Sequence, residues 1–281
     1  MKSEVEEQFL DNITENTTYH SAVVKMGSDN KKSDTSVVIL KHKWMNVVIY
    51  SCGLPLLAML LCVILSIVFD YDASTRTHCG VSNYLPSISA AIGGFTPQRY
   101  IWRLFVGAHY APRCVIPFIY VNYFKNFPNR HRPLYMATVY AMFILNQIEV
   151  ACLMVLTCVS STENFDVHEN SFIVFMVCSE IYMLLQLITF RWARDWKPLN
   201  DPIVKKSYRH KCFFFLANIS IFLLAVYFFF RHNSYCEPGV YTLFALCEYF
   251  VVLTNILYHS TLRFDIPNAV VTYAYPKSNL R

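Results

Sequence analysis

Six apolar blocks follow one another along the chain, at about residues 47–69, 101–124, 134–159, 171–190, 212–230 and 239–262. Each is close to the ~20 residues that a helix needs to cross ~30 Å of hydrocarbon. A soluble core helix can imitate one such block, and the second, third and sixth do contain charges. Six in succession point to a membrane bundle. Composition agrees: 55% of the residues are hydrophobic and 15% charged, and the apolar ones are gathered in blocks rather than spread through amphipathic patterns. Within lipid each backbone polar group must be satisfied inside its own segment, so spans of this length are helices. The expected fold is all-α, a polytopic domain of six transmembrane helices in one bundle over residues 44–262. A polar arm, residues 1–43, is expected to be disordered, and residues 263–281 form a tail.

Orientation follows from lysine and arginine in the short connections. Lys31, Lys32, Lys41 and Lys43 precede the first span, and Lys125, Arg130 and Arg132 lie between the second and third. Arg191, Arg194, Lys197, Lys205, Lys206, Arg209 and Lys211 flank the loop between the fourth and fifth, and Arg263, Lys277 and Arg281 follow the sixth. The opposite loops hold Arg76, Arg99 and Arg231 against Asp70, Asp72, Glu163, Asp166, Glu169 and Glu237. Both termini are therefore expected in the cytosol, with loops 70–100, 160–170 and 231–238 facing a lumen or the outside. The sequons at Asn12 and Asn16 then lie on the side where glycosylation does not occur. The opening MKSEVEEQFLDNITENTT has no basic start followed by an apolar run, so no cleaved signal peptide is expected. The net charge of +5 sits where the positive-inside rule puts it and calls for no nucleic-acid partner.

Eight of the ten cysteines fall within or at the ends of expected helices, where they act as small apolar residues. Cys79 and Cys236 fall instead in lumenal loops, where an oxidising compartment allows them to bridge, the alternative being two separate thiols. No CxxC and no zinc-type His/Cys spacing occurs, so no metal site is expected. The first lumenal loop is long, and its centre, LPSISAAI, is expected to form a short helix on or in the leaflet, started by Pro86 and ended by Gly93–Gly94. Ser87 and Ser89 are available nucleophiles, but no GxSxG elbow marks either. His78, His168 and His232 fall in three lumenal loops, either as hydrogen-bonded loop residues or as parts of one membrane-surface site. In such a site a histidine acts as a base or meets a lipid phosphate.

Counted from the lumenal helix ends, His109, Arg113, Glu149, Glu180 and Glu248 fall within roughly one helical turn of a common plane. A charge there costs at least ~2.5–3.5 kcal/mol on insertion scales, and pairing offsets it. Arg113 is expected to pair with Glu149 or Glu248. The layer either fixes helix register or lines a polar cavity holding a lipid headgroup, with Arg103 near the rim suited to a phosphate. Asn255 and His259 lie deeper and are expected to make helix–helix hydrogen bonds.

The stretches THCGVSNYLPSISAAIGGFTPQRYIWR (77–103), GAHYAPR (107–113), HENSFIVF (168–175) and RHNSYCEPGVYTLFALCEYFVVLTN (231–255) resemble the post-GPI-attachment-to-proteins factor 2 family. The likeness runs from about residue 45 to 262 and leaves out the arm and the tail. The resemblance implies a multi-pass protein of Golgi or endoplasmic reticulum membranes. It implies a role in remodelling the lipid of glycosylphosphatidylinositol (GPI) anchors after attachment, by reacylating a lyso-GPI with a saturated fatty acid. The implied partners are GPI-anchored proteins, the lyso-GPI lipid and other remodelling proteins. No cofactor is identified beyond an activated fatty-acyl donor. On this reading His232 or His168 is the general base, His109 lines the pocket, and Arg103, Arg231, Arg113 and Glu248 contact substrate. The rivals are a non-enzymatic lipid-presenting or stabilising subunit and a transporter or channel. Against the last, the sequence shows no inverted repeat and no matched pair of broken helices.

Overall fold

The structure, a computed structural model, describes residues 22–25, 36–267 and 269–276. The chain divides into a terminal unit, residues 1–44 and 268–281, and a membrane unit, residues 45–267. In the terminal unit β1 (Ala22–Lys25) and β2 (Ser36–Lys43) flank β3 (Val270–Pro276), both antiparallel to it, with an irregularity in β2 between Val38 and Leu40. Residues 22–25 and 36–43, expected to belong to a disordered arm, are strands here. The runs SVVIL and VVTY are rich in the β-branched residues that suit a pleated surface. Their pairing joins opposite ends of the chain, so a local reading of composition misses it. The sequons Asn12 and Asn16 lie outside the described residues.

The membrane unit begins in α1 (Trp44–Phe69), continues through the short α2 (Tyr71–Ser74) and α3 (Ile88–Gly93), and enters α4 (Gln98–Lys125). A 3-10 turn at Pro128–His131 precedes α5 (Pro133–Cys158), followed by α6 (Phe165–Trp192), α7 (Pro202–Tyr235), α8 (Val240–Ser260) and the short α9 (Leu262–Asp265). Helices α1, α4, α5, α6, α7 and α8 are long and apolar enough to cross a membrane, so the chain is a multi-pass membrane protein. Large apolar side chains such as Leu104, Phe213 and Val68 stand exposed, as lipid-facing positions should.

Several helices outrun the apolar blocks. Asp201 caps α7 by accepting from the N–H groups of Ile203 at 2.7 Å and Val204 at 3.3 Å, and Pro202 takes the first helical position. Asn164 caps α6 by accepting from the Val167 N–H at 3.1 Å. An apolar run marks hydrocarbon depth, whereas a helix continues through polar residues until a cap stops it. His168 therefore sits in the first turn of α6, and Arg231 and His232 in the last turns of α7, rather than in the loops where the sequence placed them.

Consecutive helices α4 and α5, α5 and α6, and α7 and α8 pack against each other. Six crossings put the connections 70–97, 159–164 and 236–239 at one end of the unit, bound together by the contacts described next. A core cluster joins Ala58, Met59 and Cys62 of α1 to Ile88 and Ile92 of α3 and to Trp102 and Val106 of α4. The short helix α3 is thus a wedge between spans rather than a surface loop. Half of the apolar stretch of α6 is buried inside the protein, against 11% of that of α7, so α6 is central and α7 peripheral.

Candidate active site

The wedge α3 has the limits its sequence suggests. Ser87 is its N-cap, accepting from the Ala90 N–H at 3.1 Å, and Gly94 is its C-cap. It is held from every side. Glu248 of α8 accepts from the Ile88 N–H at 3.0 Å, and the Tyr249 hydroxyl donates to the Pro86 carbonyl. Ser66 of α1 donates to Ala91 O at 3.0 Å, and Arg99 of α4 donates twice to Gly93 O, at 3.0 and 2.7 Å. Glu248, expected in the charged layer or against substrate, is spent on this wedge.

On this clamped helix, the half-buried Ser89 Oγ lies 2.9 Å from Nε2 of the buried His168. His168 Nδ1 lies 2.8 Å from the Val159 carbonyl oxygen. A carbonyl only accepts, so Nδ1 carries the hydrogen and, in the neutral ring, Nε2 is the acceptor for the Ser89 hydroxyl. A hydroxyl on a basic imidazole nitrogen, with the ring oriented by a third group, is the arrangement that activates oxygen nucleophiles. Ser89 was one of two serines that the sequence could not mark.

The loop that supplies the Val159 carbonyl is itself latched. Arg103 donates through Nε to Thr157 O at 3.2 Å and through Nη2 to Cys158 O at 2.7 Å and Glu163 Oε2 at 2.8 Å. Glu163 Oε2 also accepts from Ser160 N at 2.9 Å and Ser160 Oγ at 3.1 Å. The Ser160 N–H and the guanidinium hold the Glu163 carboxyl down at about 2. Arg103, expected to hold a phosphate, thus has two of its three nitrogens committed to the end of α5 and the His168 loop.

Cys79 and Cys236 are bridged, with Cα atoms 5.3 Å apart, and tie the loop before α3 to the end of α7. Gly239 N donates to Ser82 O at 2.9 Å and Tyr84 N to Thr242 Oγ1 at 2.9 Å, so the two segments are also stitched by backbone. The exposed His78 ring meets the buried His232 ring edge-on at 5.5 Å, and His232 packs on Tyr241 at 4.9 Å. Neither ring nitrogen of His232 has a hydrogen-bond partner among the described residues. His78, Cys79 and Cys236 lie close enough to share an ion, but both sulfurs are used in the bridge. Beside them Arg231 binds Glu237 through Nε at 2.6 Å and Nη2 at 3.0 Å, which holds the Glu237 carboxyl below its usual range. Arg231 and Glu237 line an open groove of about 600 Å³ with Tyr227, Phe230, Ser234 and Tyr235.

The charged layer resolves into separate groups. Arg113 Nη2 donates to Glu149 Oε1 at 2.8 Å with both side chains buried, and Asn146 donates to Glu149 Oε2 at 2.9 Å. His259 of α8 reaches the same carboxylate at 3.5 Å. Asn255 donates to Ser179 Oγ at 2.7 Å, a helix–helix bond of the expected kind. His109 is buried, with Nδ1 2.9 Å from Val106 O of its own helix. Neither oxygen of Glu180 has a partner among the described residues. The opposite end carries a group the sequence did not reveal: fully buried Lys211 binds Asp265 at 2.7 Å, and Asp265 also accepts from Ser207 and Tyr120, both at 2.6 Å. Lys211 counts toward the positive end in the sequence, but its pairing with the residue just past the sixth span needs the antiparallel packing of α7 and α8.

Residues 43–269 match the family of the Frag1/DRAM/Sfk1/Cwh43P N-terminal domain. Acyltransferase PGAP2 of Xenopus tropicalis is 42% identical over 224 residues, covering 80% of this chain and 88% of that protein. Post-GPI attachment to proteins factor 2 of Drosophila melanogaster is 42% identical over 233 residues (83% and 89%), and that of Caenorhabditis elegans 41% over 229 residues (79% and 86%). The chain belongs to the post-GPI attachment to proteins factor 2 family. No solved structure matches it. The family match covers the whole membrane unit and both residues of the Ser89–His168 pair, and it leaves out most of the terminal unit.

Proposed function

We propose that this protein remodels the lipid of GPI anchors after their attachment to protein, by transferring a saturated fatty acyl group to a lyso-GPI. The relatives' names supply the GPI anchor and, in one case, acyl transfer. The observation that carries the chemistry is His168, whose Nδ1 is fixed by the Val159 carbonyl and whose Nε2 is turned onto a hydroxyl. Such a base removes a proton from a hydroxyl as that oxygen attacks an acyl carbonyl. Neither ring nitrogen of the second candidate base, His232, has a hydrogen-bond partner among the described residues. The groove beside Arg231 and Glu237, part aromatic and part charged, suits the boundary between a phosphoinositol headgroup and its chains. The lysine and arginine asymmetry supports a non-cytosolic side for the end holding Ser89 and His168, and on this reading that side is the lumen of the Golgi or endoplasmic reticulum, where GPI-anchored proteins sit.

One observation favours a second reading, a lipid-presenting subunit of a remodelling complex: Arg103, Arg113 and Arg231 are each already paired with a carboxylate. Incubation of the purified chain with lyso-GPI and an isotope-labelled acyl donor separates the two. Label in the GPI product supports the transferase, and label only on addition of a second protein supports the subunit. In cells lacking the protein and any paralogue, mass spectrometry of anchors should show altered fatty-acid composition and fewer GPI-anchored proteins at the surface. Unchanged anchors would remove the GPI reading altogether.

A further inference from the structure

Most polar contacts at this end of the bundle have an evident structural task. The Ser89–His168 contact does more than hold α3 in place. The wedge α3 is already fixed by Glu248, Tyr249, Ser66 and Arg99, which bind the Pro86 carbonyl, the Ile88 N–H and the carbonyls of Ala91 and Gly93. Val159 O orients the His168 ring through Nδ1, and Ser89 satisfies the second nitrogen of that buried ring. What the contact does is put a hydroxyl, on a rigid element and half open to its surroundings, onto the accepting nitrogen of an oriented imidazole. Rigid placement of a nucleophile is what lowers the entropic part of a barrier.

We infer that Ser89 is the nucleophile of a two-step acyl transfer and carries the fatty acyl group as an ester between donor and acceptor. This rests on the transferase reading above and specifies its mechanism. In the first step Ser89 Oγ forms a bond to the carbonyl carbon of an activated acyl donor, and its proton passes to His168 Nε2. The carbon–sulfur bond of a thioester donor, or the carbon–oxygen bond of a phospholipid donor, breaks, and the leaving group takes that proton. In the second step the acceptor hydroxyl attacks the Ser89 ester while its proton passes to His168 Nε2. Ser89 Oγ leaves and recovers the proton. No oxidation state changes, and the enzyme returns to its starting form. The geometry favours this over direct attack by the acceptor, because in direct attack the acceptor hydroxyl would have to displace Ser89 from Nε2.

The test uses the full chain in lipid nanodiscs, incubated without acceptor with either an alkyne-tagged palmitoyl thioester or an alkyne-tagged diacyl phospholipid. A covalent label mapping by mass spectrometry to the peptide containing Ser89 is expected from one of the two, which also names the donor class. Ser89→Ala and His168→Gln should each abolish the label and lower transfer to lyso-GPI by at least about 100-fold. Retention of the Cys79–Cys236 bridge reports that each variant is folded. Ser89→Cys should move the label to a hydroxylamine-sensitive thioester at the same position. Transfer to lyso-GPI without any label at Ser89, and undiminished in Ser89→Ala, would overturn this inference and leave the transferase reading standing. Neither label nor transfer in folded protein would overturn both.

Discussion

Replacing Arg113 alone should be far more damaging than neutralising it together with Glu149. The Arg113→Met change leaves a carboxylate that is wholly buried, with Asn146 at 2.9 Å and His259 at 3.5 Å as its remaining neighbours. Breaking one partner of a buried ion pair costs about 3–5 kcal/mol, because the other charge stays uncompensated. The two surviving contacts put this case towards the lower end. Set against a total stability of about 5–15 kcal/mol, that is enough to reduce cellular abundance several-fold. In Arg113→Met with Glu149→Gln no charge remains, and the new amide oxygen still accepts from Asn146. The double variant should therefore recover at least about 1.5 kcal/mol relative to the sum of the singles, within the range of directly contacting residues. Abundance in membranes, together with thermal unfolding in detergent of wild type, both singles and the double, completes the cycle. Simple additivity would mean that the pair is not energetically coupled and would refute the burial reasoning. If the double variant reaches full abundance and still transfers acyl groups, the pair is structural. Full abundance without transfer would instead place it in the lipid site.

Cys79→Ser should cost about 2–5 kcal/mol, the range for native disulfides, and raise the count of maleimide-reactive thiols by one, at position 236; a count that falls by one would show that the bridge does not form. Because the folded Glu163 carboxyl is held near 2, below its unfolded value, its latch on the His168 loop is fully present above about pH 4.5 and is lost only as pH falls towards 2. The stability gap between wild type and Glu163→Gln should accordingly stay constant from about pH 7 to 5, and a gap that closes over that interval would contradict the assignment. Epitope tags at both ends should be reached by antibody after selective permeabilisation of the plasma membrane, as the lysine and arginine asymmetry requires. A lumenal tag would reverse the side on which Ser89 and His168 lie.

What could be read in advance follows the size of the energetic penalty. An arginine inside hydrocarbon cannot shed its charge, so Arg113 had to have a carboxylate at its own depth, and Glu149 is there. Two cysteines outside the expected helices offered a bridge or two separate thiols, and the structure has the bridge. Pro86 and the glycine pair announced α3 because helix starts and stops are local chemistry, though the cap itself is Ser87. Glu248 was misplaced for the opposite reason: its partner is a backbone N–H on the wedge, which only the tertiary packing brings within reach. The strands of the terminal unit escaped for the same cause, since β3 finds its partners near the other end of the chain. Ser89 lies at the far end of this scale. A half-exposed hydroxyl costs little whether or not it is paired, so no rule of burial forces a partner on it and nothing in the sequence reports one. A fixed, half-exposed hydroxyl set on the accepting nitrogen of an oriented imidazole is the arrangement that nucleophilic chemistry requires, whatever the contact also adds to stability.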